Sequence, residues 1–259
     1  MRLYKAEGVV IRGRDYGEAD RIITLYSRQH GKVDAIAKGV RKPKSRMRGG
    51  VQLFTFSSFL LYPGRTLDTV TQCEIIEPFT LLREDLTRFA YASYLVELVN
   101  SLVPERDANE KLFFLLLASL HLLTREDPEV SVRFFEIRLL SLLGYRPQLQ
   151  NCVQCGKFVP DKSIKFSVRL GGVLCRDCSP EDKSAFSISK GALTVLDQLT
   201  KIDPRRIGRL KISVPMRQEL ERMLCEYILY RAERQLKSLD FIFNLRRLVT
   251  EKETHKEIN

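Results

Sequence analysis

Apolar and polar positions recur along this chain at two different periods, and the change falls at residue 81. Before it, apolar residues come in short runs closed by turn signals. AEGVVIRGRDYG ends in a glycine-containing turn, and DRIITLYSRQHG, rich in β-branched and aromatic residues, closes at Gly31. KVDAIAKGV alternates in part, VQLFTFSSFLLYPG closes at Pro63-Gly64, and TLDTVTQCEII alternates across Leu67, Thr69, Thr71 and Cys73. These runs predict five strands, because alternation places one set of side chains against a core and branched side chains suit a pleated surface. Five short strands with even turn spacing predict a small closed barrel. An OB-type barrel is the leading candidate, and an SH3-like barrel has the same periodicity. Alternation puts Phe54 and Phe56 on the face opposite Phe59; one set belongs to the core, and the pattern does not choose between them.

From Leu81 the period becomes helical. LLREDLTRFAYASYLVELVNSLVPE places Leu82, Leu86, Phe89, Ser93 and Val96 on one stripe, ended by Pro104. Asp107 with Glu110 three residues on reads as a capping box. Asp127-Pro128 starts another helix, which stops at Gly144. Residues 145–185 are polar. Helical patterning then resumes in SISKGALTVLDQLTKI, and again from Pro215, with Met216, Leu220, Met223, Leu224, Tyr227 and Ile228 in register; this last helix is expected to continue towards RQLKSLDFIFNLRRL. The expected organisation is α+β. It comprises a five-stranded barrel over residues 1–80, a helical domain in two parts (81–149 and 184–250), a cysteine-bearing insertion over 150–183, and a frayed tail over 251–259.

Charge changes the picture in one place. Lys and Arg number 43 against 32 Asp and Glu, a net charge of +11 and a pI near 9.5, which favours polyanionic partners. The excess concentrates in AKGVRKPKSRMRGG, where Lys38, Arg41, Lys42, Lys44, Arg46 and Arg48 lie with no acidic residue between them. The stretch reads either as a solvated loop or as a phosphate-binding arm. Arg12 and Arg14 in the first strand and Arg65 at a turn would extend the patch, and Phe54, Phe56, Phe59 and Tyr62 are the aromatics available for stacking on bases. The start of the chain lacks the apolar region of an export signal, and the most apolar run, LFFLLLASLHLL, is too short to span a bilayer. A cytoplasmic protein with no membrane partner is therefore expected.

In a reducing compartment six cysteines need an explanation other than disulfides. Cys152, Cys155, Cys175 and Cys178 form two C-x2-C knuckles nineteen residues apart, with a hairpin pattern turning at Gly171-Gly172 between them. Two such knuckles supply four thiolates in a tetrahedron, which suits one structural Zn2+ per chain with no open coordination position. An iron–sulfur cluster, a redox pair of disulfides and a metal-free site are the alternatives. Cys73 and Cys225 sit in strand and helix patterns and read as small core residues. Lys157, Lys162, Lys165, Arg169 and Arg176 around the insertion read as a solvated face, or as DNA contacts.

Catalytic signatures do not emerge. His121 sits in an apolar helix, His30 in a turn and His255 in the tail, and no HExxH, GxSxG, Walker P-loop or GxGxxG occurs. Asp15, Glu18 and Asp20 could gather a cation, but capping and pairing with Arg12, Arg14 or Arg21 is the simpler reading. The expectation is a protein that is not an enzyme. Its alternative to DNA binding is an adaptor role, in which the helical domain and the insertion recruit protein partners.

The blocks YGEADRIITLYSRQHGK and AKGVRKPKSR, with the four cysteines and a terminal LKSLDFIF, resemble the RecO family of bacterial recombination mediators over essentially the whole chain. That resemblance implies an N-terminal OB fold, a helical C-terminal domain and a zinc-ribbon insertion. It implies binding of single- and double-stranded DNA and annealing of complementary strands without ATP. It further implies partnership with RecR, and in many bacteria RecF, to load RecA onto DNA coated with single-strand-binding protein, whose acidic C-terminal tail the helical domain binds. By position, the basic run 38–48 matches the family's DNA-binding segment.

Overall fold

The computed structural model describes residues 2–159 and 164–257, with side chains described through residue 248. The chain divides into two compact units, residues 1–124 with 236–259, and residues 125–235.

The first unit is built on five strands: β1 (Tyr4–Tyr16), β2 (Asp20–Ser27), β3 (Gly31–Ala37), β4 (Phe56–Tyr62) and β5 (Asp68–Glu77). They close in the order β1-β2-β3-β5-β4, the connectivity of an OB barrel rather than an SH3-like one. Closure needs one strand to serve both sides. β1 pairs with β4 along Tyr4–Val9 and with β2 from Gly8 to Tyr16, and a register shift between Val10 and Arg12 lets it bend from one partner to the other. The parallel pairs Ala35–Asp68 and Ile36–Thr69 seal the barrel. Its interior is Ala6, Val10, Ile23, Leu25, Val33, Ala35, Phe59, Leu61 and Val70.

The placement of the three phenylalanines resolves here. Phe59 is the interior residue. Phe54 precedes β4 in a left-handed conformation (φ 70) and packs edge-on against Phe89, and Phe56 packs against Phe113. Helices thus cover the barrel where these two rings sit, and of the four aromatics only Tyr62 is exposed.

The single helix expected from Leu81 is two, α1 (Thr80–Glu84) and α2 (Leu86–Leu102). Asp85 between them is extended and its carboxylate accepts from the Arg88 N–H, capping α2. Leu86, assigned to the buried stripe, is exposed; α2 is buried on Tyr91, Tyr94, Leu95, Val96, Leu98 and Val99, nearly all round, which erases helical periodicity. α3 (Glu110–Arg125) is capped not by Asp107 but by Asn109, whose Oδ1 accepts from the Leu112 N–H at 3.0 Å. The last helix, α7 (Lys237–Glu257), also belongs to this unit. Glu97 of α2 accepts from the Lys237 and Ser238 N–H groups at 3.2 and 2.8 Å and from the Ser238 hydroxyl, so a distant carboxylate supplies the N-cap that the local sequence lacks. The helix assignment runs through residues expected to fray, to Glu257; residues 258 and 259 lie outside the described residues, and His255 falls where side chains are not described.

The second unit contains α4 (Pro128–Leu142), a three-stranded sheet of β6 (Lys165–Ser167), β7 (Gly172–Leu174) and β8 (Phe186–Ser187) in the order β7-β6-β8, then α5 (Lys190–Lys201), a 3-10 segment (Pro204–Arg209) and α6 (Val214–Ala232). The Asp127 cap accepts from the Glu129 and Val130 N–H groups, and Gly144 follows α4 at φ 81. α6 does not continue into the last helix: Glu233 turns left-handed and ends it. Met216 is half-buried on the α6 stripe, and Leu220, Met223, Leu224, Tyr227 and Ile228 are buried. Between α4 and α6 the buried Arg133 pairs with the buried Glu136 at 3.0 Å and with the half-buried Glu221 at 3.7 Å, so opposite charges offset one another beside the apolar bundle. No described helix is long and apolar enough to cross a membrane.

Candidate nucleic-acid interface and metal centre

The basic run forms the connection between β3 and β4, and its apolar residues explain how it is held. Val40, Met47 and Val51 turn inward and join the barrel core, Val40 and Val51 fully buried. Lys38, Arg41, Lys42, Lys44, Arg46 and Arg48, interleaved with them, all point to solvent. The arm therefore has the cation display of a flexible loop on an anchored backbone. Gly49 and Gly50 let the backbone run close to β5: a Cβ on Gly50 would meet the Cys73 sulfur at 2.6 Å. Cys73 is accordingly half-buried beside the core, its thiol directed at the Met47 carbonyl 3.6 Å away, and burial pushes that thiol's pKa up.

The arm is also tied to the β1–β2 hairpin. The Arg41 N–H donates to the Ala19 carbonyl at 2.9 Å and the Gly39 N–H to Asp20 Oδ1 at 2.7 Å, and the Arg41 guanidinium meets Asp15 at 3.3 Å. Asp15 lies 3.9 Å from Arg21 as well. Two of the three first-turn carboxylates thus serve pairing and capping, Asp15 meeting Arg21 and Arg41, and Asp20 accepting from the Gly39 N–H. Arg12 and Arg14 are exposed on the same hairpin. Register brings the third element in. Residues 35–37 of β3, which lead into the arm, are flanked by β2 from Arg21 to Ile23 on one side and by the start of β5 on the other. Arg65 is exposed on the β4–β5 loop that precedes that start. The β1–β2 and β4–β5 loops are the rim that OB barrels use for oligonucleotides.

The β4–β5 loop is fixed by a buried carboxylate that sequence reasoning missed. Asp68, only 2% exposed, accepts from the Tyr4 hydroxyl, from the Gly64 N–H at 3.0 Å and from Arg106 at 2.9 Å. Burial pushes the Asp68 carboxyl up, but the bonds from Tyr4, Gly64 and Arg106 outweigh it and hold its pKa below the ordinary value; burial and Asp68 raise Tyr4 to about 12. The polar signal was present in TLDTV, but its partners lie 64 and 38 residues away.

The four knuckle cysteines converge. All four Sγ atoms lie within 4.8 Å of one another, and Cys155 and Cys175 are 3.9 Å apart. A tetrahedral Zn2+ with bonds of about 2.3 Å requires sulfurs about 3.8 Å apart, so the residues fit a metal of that kind. In the first knuckle Gly156, at φ 74, returns its N–H to the Cys152 carbonyl at 2.8 Å, and the Val153 N–H bonds across to Val173. Burial alone would raise the Cys152 thiol. N–H groups of Cys175, Cys155 and Gln154 outweigh it and bring the thiol to about 6, whereas hydrogen bonding to Cys175 pushes Cys178 up to about 12. Four sulfurs this close cannot all ionise without a cation, and a bound cation would remove that conflict. Cys225 is buried beside Arg133, away from this cluster, and burial raises its thiol to about 11. The insertion's Lys157, Arg169 and Arg176 are exposed, and Lys165 is half-buried; Lys162 lies outside the described residues. His30 packs edge-on against Tyr4, and His121 lies over Phe79.

Comparison with known proteins agrees with this geometry. Residues 1–79 match the family model described as Recombination protein O N terminal, and residues 83–240 the one described as Recombination protein O C terminal. The chain is 45% identical over 250 residues to the DNA repair protein RecO of Symbiobacterium thermophilum, covering 95% of this chain and 99% of that one. It is 47% identical over 242 residues to the DNA repair protein RecO of Pelotomaculum thermopropionicum, covering 93% and 94%. A cation-bearing OB barrel, a helical second half and a four-cysteine ribbon, matched along nearly their whole length, place this chain in the RecO family of DNA repair proteins.

Proposed function

We propose that this protein is a DNA-binding recombination mediator that anneals complementary single strands without ATP and, with RecR and where present RecF, helps load RecA onto DNA coated by single-strand-binding protein, whose acidic tail it engages. The observation that carries the DNA-binding part is the arm: six exposed cations on a backbone fastened to the barrel by Val40, Met47 and Val51, beside a hairpin bearing Arg12 and Arg14. Annealing makes and breaks no covalent bond. It needs two phosphate backbones brought together, and a fixed row of cations lowers their repulsion while releasing condensed counterions. Contacts of this kind carry no direct sequence information, so little base preference is expected. The partner assignments rest on family membership alone.

Zinc held by Cys152, Cys155, Cys175 and Cys178 would act structurally, since four protein ligands leave no position for substrate. Its role is to order a ribbon whose strands are three residues long or shorter.

The test is annealing of two complementary labelled oligonucleotides followed by energy transfer, without nucleotide. Acceleration over the spontaneous rate, unchanged by added ATP, supports the reading. No acceleration, or a requirement for hydrolysis, overturns it.

A further inference from the structure

The second compact unit carries a cation–aromatic cluster that the basic arm does not explain. Arg231, in the last turn of α6, has its guanidinium carbon 5.0 Å from the ring centre of Tyr227, 5.3 Å from that of Tyr145 and 5.5 Å from that of Tyr230. Tyr227 is buried and accepts from Arg231 Nη2 at 3.2 Å, which fixes the guanidinium plane. The other two rings are open to solvent, Tyr145 at 41% and Tyr230 at 48% exposure. The turn of the β6–β7 hairpin approaches from the other side. A Cβ on Gly171, itself at φ 77, would stand 3.0 Å from the Tyr227 oxygen and 3.1 Å from Arg231 Nη2. Inside this cage Arg231 Nε is buried and makes no hydrogen bond among the described residues.

Two features of the cluster are costly for a purely structural one. A buried guanidinium N–H without an acceptor forfeits its hydration, and two large rings beside a fixed cation remain wet. Exposed phenol faces beside a fixed guanidinium suit one class of ligand, a planar π system carrying an anionic group: the ring system lies on a phenol face and the anion is drawn to the positive charge beside it. Neighbouring cations suit the same ligand: Arg234 is exposed three residues on, and Arg146, paired with Asp197 at 3.8 Å, follows Tyr145.

We propose that Tyr145, Tyr230 and Arg231 form a stacking site for a nucleotide of single-stranded DNA, separate from the barrel arm. This rests on the DNA-binding reading above. Stacking on protein rings requires an unstacked base, so the site discriminates single strands from duplex, which the phosphate-reading arm does not.

The experiment uses the full zinc-loaded chain, with anisotropy of a labelled oligothymidylate and of a labelled duplex. Tyr145→Ala with Tyr230→Ala should weaken single-strand binding about fivefold or more, as expected for losing at least one base stack, and leave duplex affinity, zinc content and melting temperature unchanged. Tyr145→Phe with Tyr230→Phe, which keeps the rings, should bind as the wild type does. Single-strand affinity within twofold of wild type in a folded alanine variant overturns the proposal. So does an alanine variant that weakens duplex equally. Should that variant not fold, wild-type protein photocrosslinked to an oligonucleotide containing 5-iododeoxyuridine decides: adducts at Tyr145 or Tyr230 support the site, and adducts confined to other residues overturn it. An arm-neutralised variant measured alongside separates the two readings. If the arm matters and the rings do not, this proposal alone fails; if wild type ignores both probes, the DNA-binding reading fails with it.

Discussion

Neutralising the arm is the perturbation whose size can be worked out from the structure. Replacing Arg41, Lys42, Lys44 and Arg46 with glutamine removes four charges and no buried side chain, because all four are exposed while Val40, Met47 and Val51 stay in place. The fold loses the Arg41–Asp15 pair at 3.3 Å, an exposed contact that contributes about 0–1 kcal/mol. DNA binding loses far more. Each phosphate contact to a single strand contributes about 0.7 to the slope of log K against log salt. Four lost contacts lower the slope by about 2.8. Arg41 already faces Asp15 and the Gly17 and Glu18 carbonyls, so it contributes least, and three full contacts give about 2.1. With the non-electrostatic part of binding unchanged and 1 M salt as reference, affinity at 0.1 M salt falls by about 100- to 600-fold, or about 3–4 kcal/mol. Anisotropy with a labelled oligothymidylate from 0.05 to 0.5 M salt gives the slope directly, and a thermal melt confirms the fold. A folded variant with the wild-type slope would refute the assignment, since charge that does not touch phosphate cannot set a counterion slope.

Other consequences follow from the same geometry. Metal analysis of purified protein should find about one zinc per chain; Cys175→Ser should lose it and unfold at lower temperature, and zinc retained in that variant would remove the four-sulfur site. Gly172→Ala places a Cβ 2.5 Å from the Val153 methyl and 2.7 Å from the Gln148 carbonyl oxygen. Overpacking of this sort costs about 1–3 kcal/mol, read as a lower denaturation midpoint, and an unchanged midpoint would mean the ribbon yields there. Asp68→Asn exchanges a buried carboxylate held by three donors for an amide and should cost about 1.5–3 kcal/mol at neutral pH. The sign with pH follows from its lowered pKa. The Asp68 contribution is complete above the unfolded carboxylate pKa of about 3.9 and is lost as pH falls through the lower folded value, so the difference between wild type and variant should shrink on acidification below about pH 4. A gap that stays constant to pH 2 would contradict this.

How much of this was legible in the sequence depended on distance along the chain. The strands, the barrel and the two cysteine knuckles were readable because their signals are local: alternation, turn residues and a two-residue spacing. The cation run was readable as charge, but its anchoring was not, since Val40, Met47 and Val51 look like incidental apolar residues until β3 and β4 bring the core beneath them. Phe54 and Phe59 could not be told apart because alternation assumes a strand, and β4 begins only at Phe56 after a left-handed residue. The break at Asp85 and the restart at Lys237 were missed for related reasons. Apolar content around Asp85 masks a cap, and the cap of the last helix comes from Glu97, 140 residues away. Asp68 and the Arg231 cage depend on partners that no local pattern connects.

The central claim is that the arm's cations lie on DNA phosphates, and lysine acetylation footprinting tests it most directly. With saturating single-stranded oligonucleotide, Lys38, Lys42 and Lys44 should lose reactivity while the exposed Lys111 and Lys237 of the helices keep theirs. Undiminished acetylation of all three arm lysines in a complex shown to be fully bound would contradict the account.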